Sequence, residues 1–84
     1  MNRNHRKTLN NVFADPVSGN IEWWKIEALV KAVGCEIIES SGSRITILHK
    51  GGKATFHRPH PDKEALRYRV IAARDFLKMI GVTP

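Results

Sequence analysis

The segment from Arg44 to His57 alternates polar and apolar residues on both sides of the glycine pair Gly51-Gly52. This pattern predicts a β-hairpin with strands over residues 44–49 and 53–57, joined by a two-residue loop at the glycines, where positive φ angles are expected. Successive strand side chains point to opposite faces. One predicted face is apolar and packs a core, with Ile45, Ile47, Ala54 and Phe56. The other face is polar and open to solvent, with Arg44, Thr46, Thr55 and His57.

The loop position also predicts how the two strands pair. A loop at Gly51-Gly52 places Ile47 opposite Phe56 and Thr46 opposite His57. Arg44 then lies diagonal to His57, within reach of a long side chain. The polar face would therefore bring a guanidinium and an imidazole together.

The remaining chain predicts three helices and one more strand. Helices are expected over residues 4–14, 22–33 and 63–80, with Gly34 and Gly81 just beyond the last two and Asp62 as an N-cap. Residues 35–40 complete a three-stranded sheet. In the last helix the apolar positions are Leu66, Val70, Ala73, Leu77 and Ile80, and a separate basic stripe holds Lys63, Arg67, Arg74 and Lys78.

These elements predict an α+β fold of order α-β-β-β-α, with an antiparallel sheet and two helices on one face, plus a short N-terminal helix. Double-stranded RNA-binding domains have the same order, although a fold does not assign a function. We expect one domain over residues 1–84, divided into an N-terminal extension (1–20) and a core (21–82).

The charge of the chain is concentrated in its second half. The net charge is +6; residues 1–43 hold five basic and five acidic residues, whereas residues 44–78 hold nine basic and three acidic ones. This asymmetry favours a polyanionic partner such as nucleic acid, although a basic surface can also serve only solubility.

Other features exclude several classes of protein. No apolar run approaches the ~20 residues of a membrane span, and none follows the basic N-terminus as in a signal peptide. The single Cys35 builds no internal disulfide and too few ligands accompany it for zinc. We expect Cys35 to be buried, the protein to be cytoplasmic, and at least one of Trp23 and Trp24 to belong to the core.

RNA can be cleaved without a metal when a base and an acid move protons and a cation steadies the phosphate. Histidine suits the proton transfers and arginine suits the phosphate. His57 is the first candidate for proton transfer, followed by His60 between two prolines and then His49. The cations placed to meet RNA are Arg44, Lys50, Lys53, Arg58, Lys63, Arg67 and Arg74.

Over roughly residues 20–82 the sequence resembles the HicA family of small mRNA-cleaving toxins from bacterial toxin–antitoxin systems. The resemblance lies in Ala32-Val33-Gly34, Ser41-Gly42-Ser43, the segment from Thr55 to Pro61, and Leu77 to Gly81. It implies a double-stranded-RNA-binding-like fold, metal-independent endoribonuclease activity without a cofactor, and a HicB antitoxin that blocks the RNA-facing surface.

One position departs from the pattern of that family. The usual catalytic histidine follows a Gly-Ser pair, and here Gly42-Ser43 is followed by Arg44, which cannot shuttle protons at neutral pH. Either His57 takes over on the adjacent strand, or the chain binds RNA without cutting it. A third hypothesis is a regulatory subunit whose basic face meets an acidic protein.

Overall fold

The computed structural model describes residues 1–59 and 63–84 and has the predicted element order. Within these ranges three helices, α1 (Arg3–Val12), α2 (Trp23–Ala32) and α3 (Arg67–Met79), accompany three strands, β1 (Glu36–Glu39), β2 (Arg44–His49) and β3 (Gly52–His57). The strands form one antiparallel sheet in the order β1-β2-β3. The predicted α+β architecture is therefore confirmed.

One face of the sheet packs against the helices, as the alternation predicted. Ile45, Ile47 and Phe56 are buried there with apolar residues of α2 and α3, while Arg44, Thr55 and His57 are exposed on the other face. The same core takes in Leu9 and Val12 of α1. Burial of apolar area from all six elements in one cluster is the main force that holds the fold together.

The helix ends at Gly34 and Gly81 are as predicted. Both glycines follow a helix with positive φ, 98° and 83°, and Gly42 has a φ of 67° in the turn between β1 and β2. In this left-handed region a side chain would clash with the backbone, so glycine ends each helix without strain.

The predicted hairpin register was wrong by two residues. The turn lies at Lys50-Gly51, so that His49 pairs with Gly52, Ile45 with Phe56 and Arg44 with His57. A shift of two residues keeps every side chain on its predicted face.

The predicted role of the glycine pair was also wrong, since neither Gly51 nor Gly52 has a positive φ. Glycine is needed at both positions because the end of α3 lies against the turn and leaves little room for a side chain. A Cβ at Gly51 would lie 3.1 Å from the Cα of Ile80, and one at Gly52 would overlap the sulfur of Met79.

The last helix begins later than predicted. α3 starts at Arg67 with Leu66 as its N-cap, and the predicted cap, Asp62, lies outside the described residues. Before the helix, the Ala65 N–H donates to the Ile21 carbonyl at 2.7 Å and the Trp23 N–H donates to the Lys63 carbonyl at 3.1 Å.

This antiparallel contact at the start of α2 replaces the expected first helical turn. Lys63 therefore precedes the helix rather than extending its basic stripe, and Leu66 is exposed rather than part of the apolar stripe. In the described ranges no helix combines the length and apolar character needed to cross a bilayer.

Candidate functional site

Arg44 and His57 lie directly opposite each other on the exposed face of the sheet. The Arg44 carbonyl accepts the Ser40 N–H at 3.0 Å, so the backbone polar groups of Arg44 point away from β3. The Arg58 N–H donates to the Ser43 carbonyl at 2.6 Å, so the next pair along the strands, Ser43 with Arg58, is a hydrogen-bonded pair. Arg44 and His57 thus form a non-hydrogen-bonded pair, in which facing side chains come closest, with about 4.5–5.5 Å between Cβ atoms.

The open face continues from this pair toward the hairpin turn. Thr46 pairs with Thr55, and Leu48 pairs with Lys53, so hydroxyls and then an ammonium group follow the guanidinium and the imidazole. Lys50 is exposed in the turn itself. The strand pairing therefore brings three of the predicted site residues, Arg44, His57 and Lys53, onto one side of one hairpin, with Lys50 exposed at its turn.

Arg58, which follows His57, points to the helical side of the sheet and is held by two carboxylates. Its guanidinium donates to both oxygens of Glu27, at 2.7 and 2.9 Å, and to Glu39 at 2.8 Å. The hydrogen bonds to Glu27, and secondly those to Glu39, raise the pKa of Arg58. The sequence predicted a phosphate clamp here; in the structure the partly exposed guanidinium is engaged by two carboxylates of the protein itself.

The carboxylate of Glu27 extends this network into the core. It also accepts the indole N–H of Trp23, whose buried ring lies 5.4 Å from that of Phe56. α2 is thereby fastened to the end of β3, one residue from His57. Sequence analysis did not identify Glu27 or Glu39 because no local spacing relates them to Arg58, which lies 31 and 19 residues away.

Two arginines of the predicted helical stripe hold the N-terminal segment. Arg74 donates to the carbonyls of Val12 and Ala14 at 2.9 and 2.8 Å, and Arg67 donates to that of Val17 at 3.3 Å. A guanidinium that satisfies carbonyls at the end of a helix stabilises the fold. Lys63 and Lys78 are exposed.

The candidate His49 does not join His57 on the exposed face of the sheet. His49 is half-buried at the turn, where its Nδ1 accepts the Gly51 N–H at 3.3 Å, a role that fixes the hairpin. His60, the second candidate for proton transfer, lies outside the described residues.

Two grooves that the sequence did not indicate lie beside Trp24. One, about 470 Å³ in volume, runs between α1 and the start of α2; the other, about 420 Å³, leads from Trp24 to Arg58. Both are lined by Trp24 and Ala28. Trp23 is fully buried and Trp24 is 50% exposed, so the expectation that at least one tryptophan serves the core is confirmed.

Comparison with known proteins identifies one relationship. The family model described as HicA toxin of bacterial toxin-antitoxin matches residues 23–82, from the first residue of α2 to just beyond α3. No curated protein matches the chain, and no solved structure does. The match includes the whole sheet with Arg44 and His57, and it leaves α1 outside.

Proposed function

The chain belongs to the HicA toxin family of bacterial toxin–antitoxin systems, and on that premise we propose that it is an endoribonuclease that cleaves mRNA. The observation that carries the proposal is the direct pairing of Arg44 with His57 on an exposed strand surface. Family membership supplies the class of protein, a toxin with an antitoxin partner, and the pairing supplies a place for the chemistry.

His57 is the proton-transfer group in this proposal. It removes the proton from a ribose 2′-hydroxyl, whose oxygen then attacks the adjacent phosphorus while the bond from phosphorus to the 5′-oxygen breaks. The products are a 2′,3′-cyclic phosphate and a 5′-hydroxyl. The leaving oxygen takes its proton from His60 or from solvent, and a His60→Ala variant distinguishes the two sources.

Arg44 is the group that stabilises the phosphate. Its planar guanidinium donates two hydrogen bonds at once to the non-bridging oxygens, on which negative charge grows during attack. Because Arg44 faces His57, one phosphodiester can meet both side chains. The reaction as proposed needs no metal, so we expect cleavage to persist in the presence of a chelator.

The positive charge around this pair favours a polyanionic substrate. Lys53 and Lys50 extend the cationic surface along the hairpin toward its turn, and each phosphate contact contributes to affinity through release of counterions. Of the other proposed RNA-binding residues, Lys63 is exposed, whereas Arg58, Arg67 and Arg74 have intramolecular partners.

The test is cleavage of a labelled RNA by purified protein, with His57→Ala and His49→Ala as a matched pair. General acid–base catalysis contributes roughly 10²–10⁴-fold, so His57→Ala should lose at least about a hundredfold in rate. His49→Ala keeps the wild-type rate, because His49 serves the turn. Circular dichroism establishes that both variants are folded, and full activity of His57→Ala would refute the assignment.

In bacteria the same variants extend the test to the toxin role. Induced wild-type protein should arrest growth and deplete mRNA in the cytoplasm, and His57→Ala should do neither. Co-expression of a HicB-like antitoxin should restore growth. We propose that this partner covers the face that carries Arg44 and His57.

A second function, RNA binding without cleavage, is favoured by one observation. Arg44 occupies the position where the family usually has its catalytic histidine. A protein of this kind would bind RNA with an affinity that falls steeply with salt, and would leave every substrate intact.

A further inference from the structure

The groove between α1 and the start of α2 has the features of a site for an unpaired nucleobase. We refer to it as the Trp24 groove; its volume is about 470 Å³, within the usual range of roughly 300–1,000 Å³ for ligand sites. One wall is α1, which lies outside the residues matched by the family model. This wall of the groove therefore lies outside the matched residues.

Trp24 presents an exposed aromatic ring whose position is held by its neighbours. Its indole N–H donates to Glu22 at 3.2 Å, and the ammonium of Lys25 lies 5.7 Å from the ring centroid. The Lys25 ammonium also pairs with the Glu22 carboxylate at 3.4 Å. This ion pair offsets the negative charge that Glu22 brings to the groove. An exposed ring held in this way is a platform for stacking, since every base has an aromatic face.

The opposite wall offers hydrogen-bonding amides and a positive charge. Asn4, Lys7 and Asn11 of α1 line the groove. Within the described ranges no intramolecular hydrogen bond engages the two side-chain amides. A planar amide carries a donor and an acceptor, and asparagine pairs with base edges in this way. α1 holds three Lys or Arg residues and no Asp or Glu, which favours an anionic ligand over a cationic or neutral one.

The second groove extends from this platform toward the end of β3. It shares Trp24 and Ala28 with the first groove and ends at Arg58, the residue after His57. Arg58 points to the helical side of the sheet and His57 to the exposed side, so a single strand reaches both sites by passing the edge of the sheet formed by β3.

We propose that the Trp24 groove binds an unpaired base of single-stranded RNA, a few nucleotides from the phosphate held by Arg44 and His57. This inference rests on the proposed function for the identity of the ligand. It adds a site that anchors the strand at a distance from the reaction and that depends on α1.

The experiment measures binding of a 2′-O-methyl RNA oligonucleotide, which has no free 2′-hydroxyl and so cannot be cut. Stacking of one base is worth about 1–3 kcal/mol, and 1.4 kcal/mol is a factor of ten. Trp24→Ala should therefore weaken binding at least about fivefold, whereas Trp24→Phe keeps most of the affinity. Asn11→Ala should weaken binding by a smaller factor.

Two controls separate stacking in the groove from a general aromatic effect. Tyr68→Ala removes another exposed aromatic side chain with a cation over its ring, Arg69 at 5.2 Å, far along the chain on α3. This variant should bind like wild type. RNA should also quench tryptophan fluorescence in wild type and much less in Trp24→Phe, because the remaining Trp23 is buried.

The outcomes distinguish this inference from the proposed function. Equal binding by wild type and Trp24→Ala overturns the groove proposal, even if His57-dependent cleavage is observed. Absence of both RNA binding and cleavage in wild type overturns both proposals. Loss of antitoxin binding by Trp24→Ala with RNA affinity unchanged also overturns it, and makes the groove a protein interface.

Discussion

Arg58 donates two hydrogen bonds to the carboxylate of Glu27, at 2.7 and 2.9 Å, across the gap between the end of β3 and α2. The Glu27 side chain is only 15% exposed, so the guanidinium replaces much of the water that would otherwise contact this carboxylate. The pair fixes the backbone beside His57, and its energetic role can be separated from that of the more exposed Glu39.

Replacing Glu27 by glutamine should lower the free energy of unfolding by about 2 kcal/mol, because hydrogen bonds to charged groups contribute roughly 1.5–3 kcal/mol when partly buried. Glu39→Gln is the matched control. Its carboxylate is 71% exposed, and such pairs contribute at most about 1 kcal/mol. Urea unfolding of the two variants checks the difference, and equal losses would contradict it.

The facing positions of Arg44 and His57 allow an exchange of the two side chains. The double variant Arg44→His/His57→Arg keeps one imidazole and one guanidinium on the same pair of positions and places the histidine directly after Gly42-Ser43. We expect it to retain a substantial part of the cleavage rate, whereas Arg44→Lys loses about tenfold because a lysine lacks the bidentate fork. Rates are measured on one labelled RNA. If the double variant were as inactive as His57→Ala, the presence of the two side chains on facing positions would not be sufficient for cleavage.

Arg74 should matter for stability before it matters for RNA. Arg74→Ala leaves the carbonyls of Val12 and Ala14 without their donor, and we expect a loss of about 1–3 kcal/mol on the usual scale for unsatisfied groups. Lys78→Ala, at an exposed position of the same helix, should change stability by less than about 0.5 kcal/mol. Thermal and urea unfolding provide the comparison, and similar effects of both variants would return Arg74 to the role of a surface charge.

Cys35 gives a prediction for the pH dependence of stability. Burial raises the pKa of its thiol from the ordinary value of 9.0, so the folded state binds the proton more tightly than the unfolded state. The resulting stabilisation is complete below pH 9.0 and is lost as the pH rises through the folded-state pKa. The stability of wild type relative to Cys35→Ala should be constant at neutral pH and fall in alkali. If the stability of wild type relative to Cys35→Ala increased at alkaline pH, the prediction would be contradicted.

The sequence predicted the faces of the sheet and missed its register. Alternation assigns each side chain to a face, and an error of two residues leaves this assignment intact. The turn position depended on a contact that alternation does not contain, because Gly51 and Gly52 lie against the end of α3. The register nevertheless affects the site, because it determines whether Arg44 lies diagonal to His57, as predicted, or directly opposite it, as observed.

The predicted basic residues illustrate a second limit. Composition places Arg58, Arg67 and Arg74 in the cationic half of the chain, and their charges alone suggested phosphate contacts. Their partners are two carboxylates and three carbonyls, 19 to 62 residues away. Contacts at such separations follow from the packing of helices on the sheet, and a single sequence does not reveal them.

The N-terminal helix has a consequence for how this toxin can be disarmed. Leu9 and Val12 of α1 are buried in the common core, although the family match begins only at residue 23. The residues that the family model matches are therefore fewer than the residues that build the hydrophobic core. A protease that clipped the first dozen residues would inactivate the toxin by opening its interior, while every group assigned to the sugar–phosphate chemistry stayed in place.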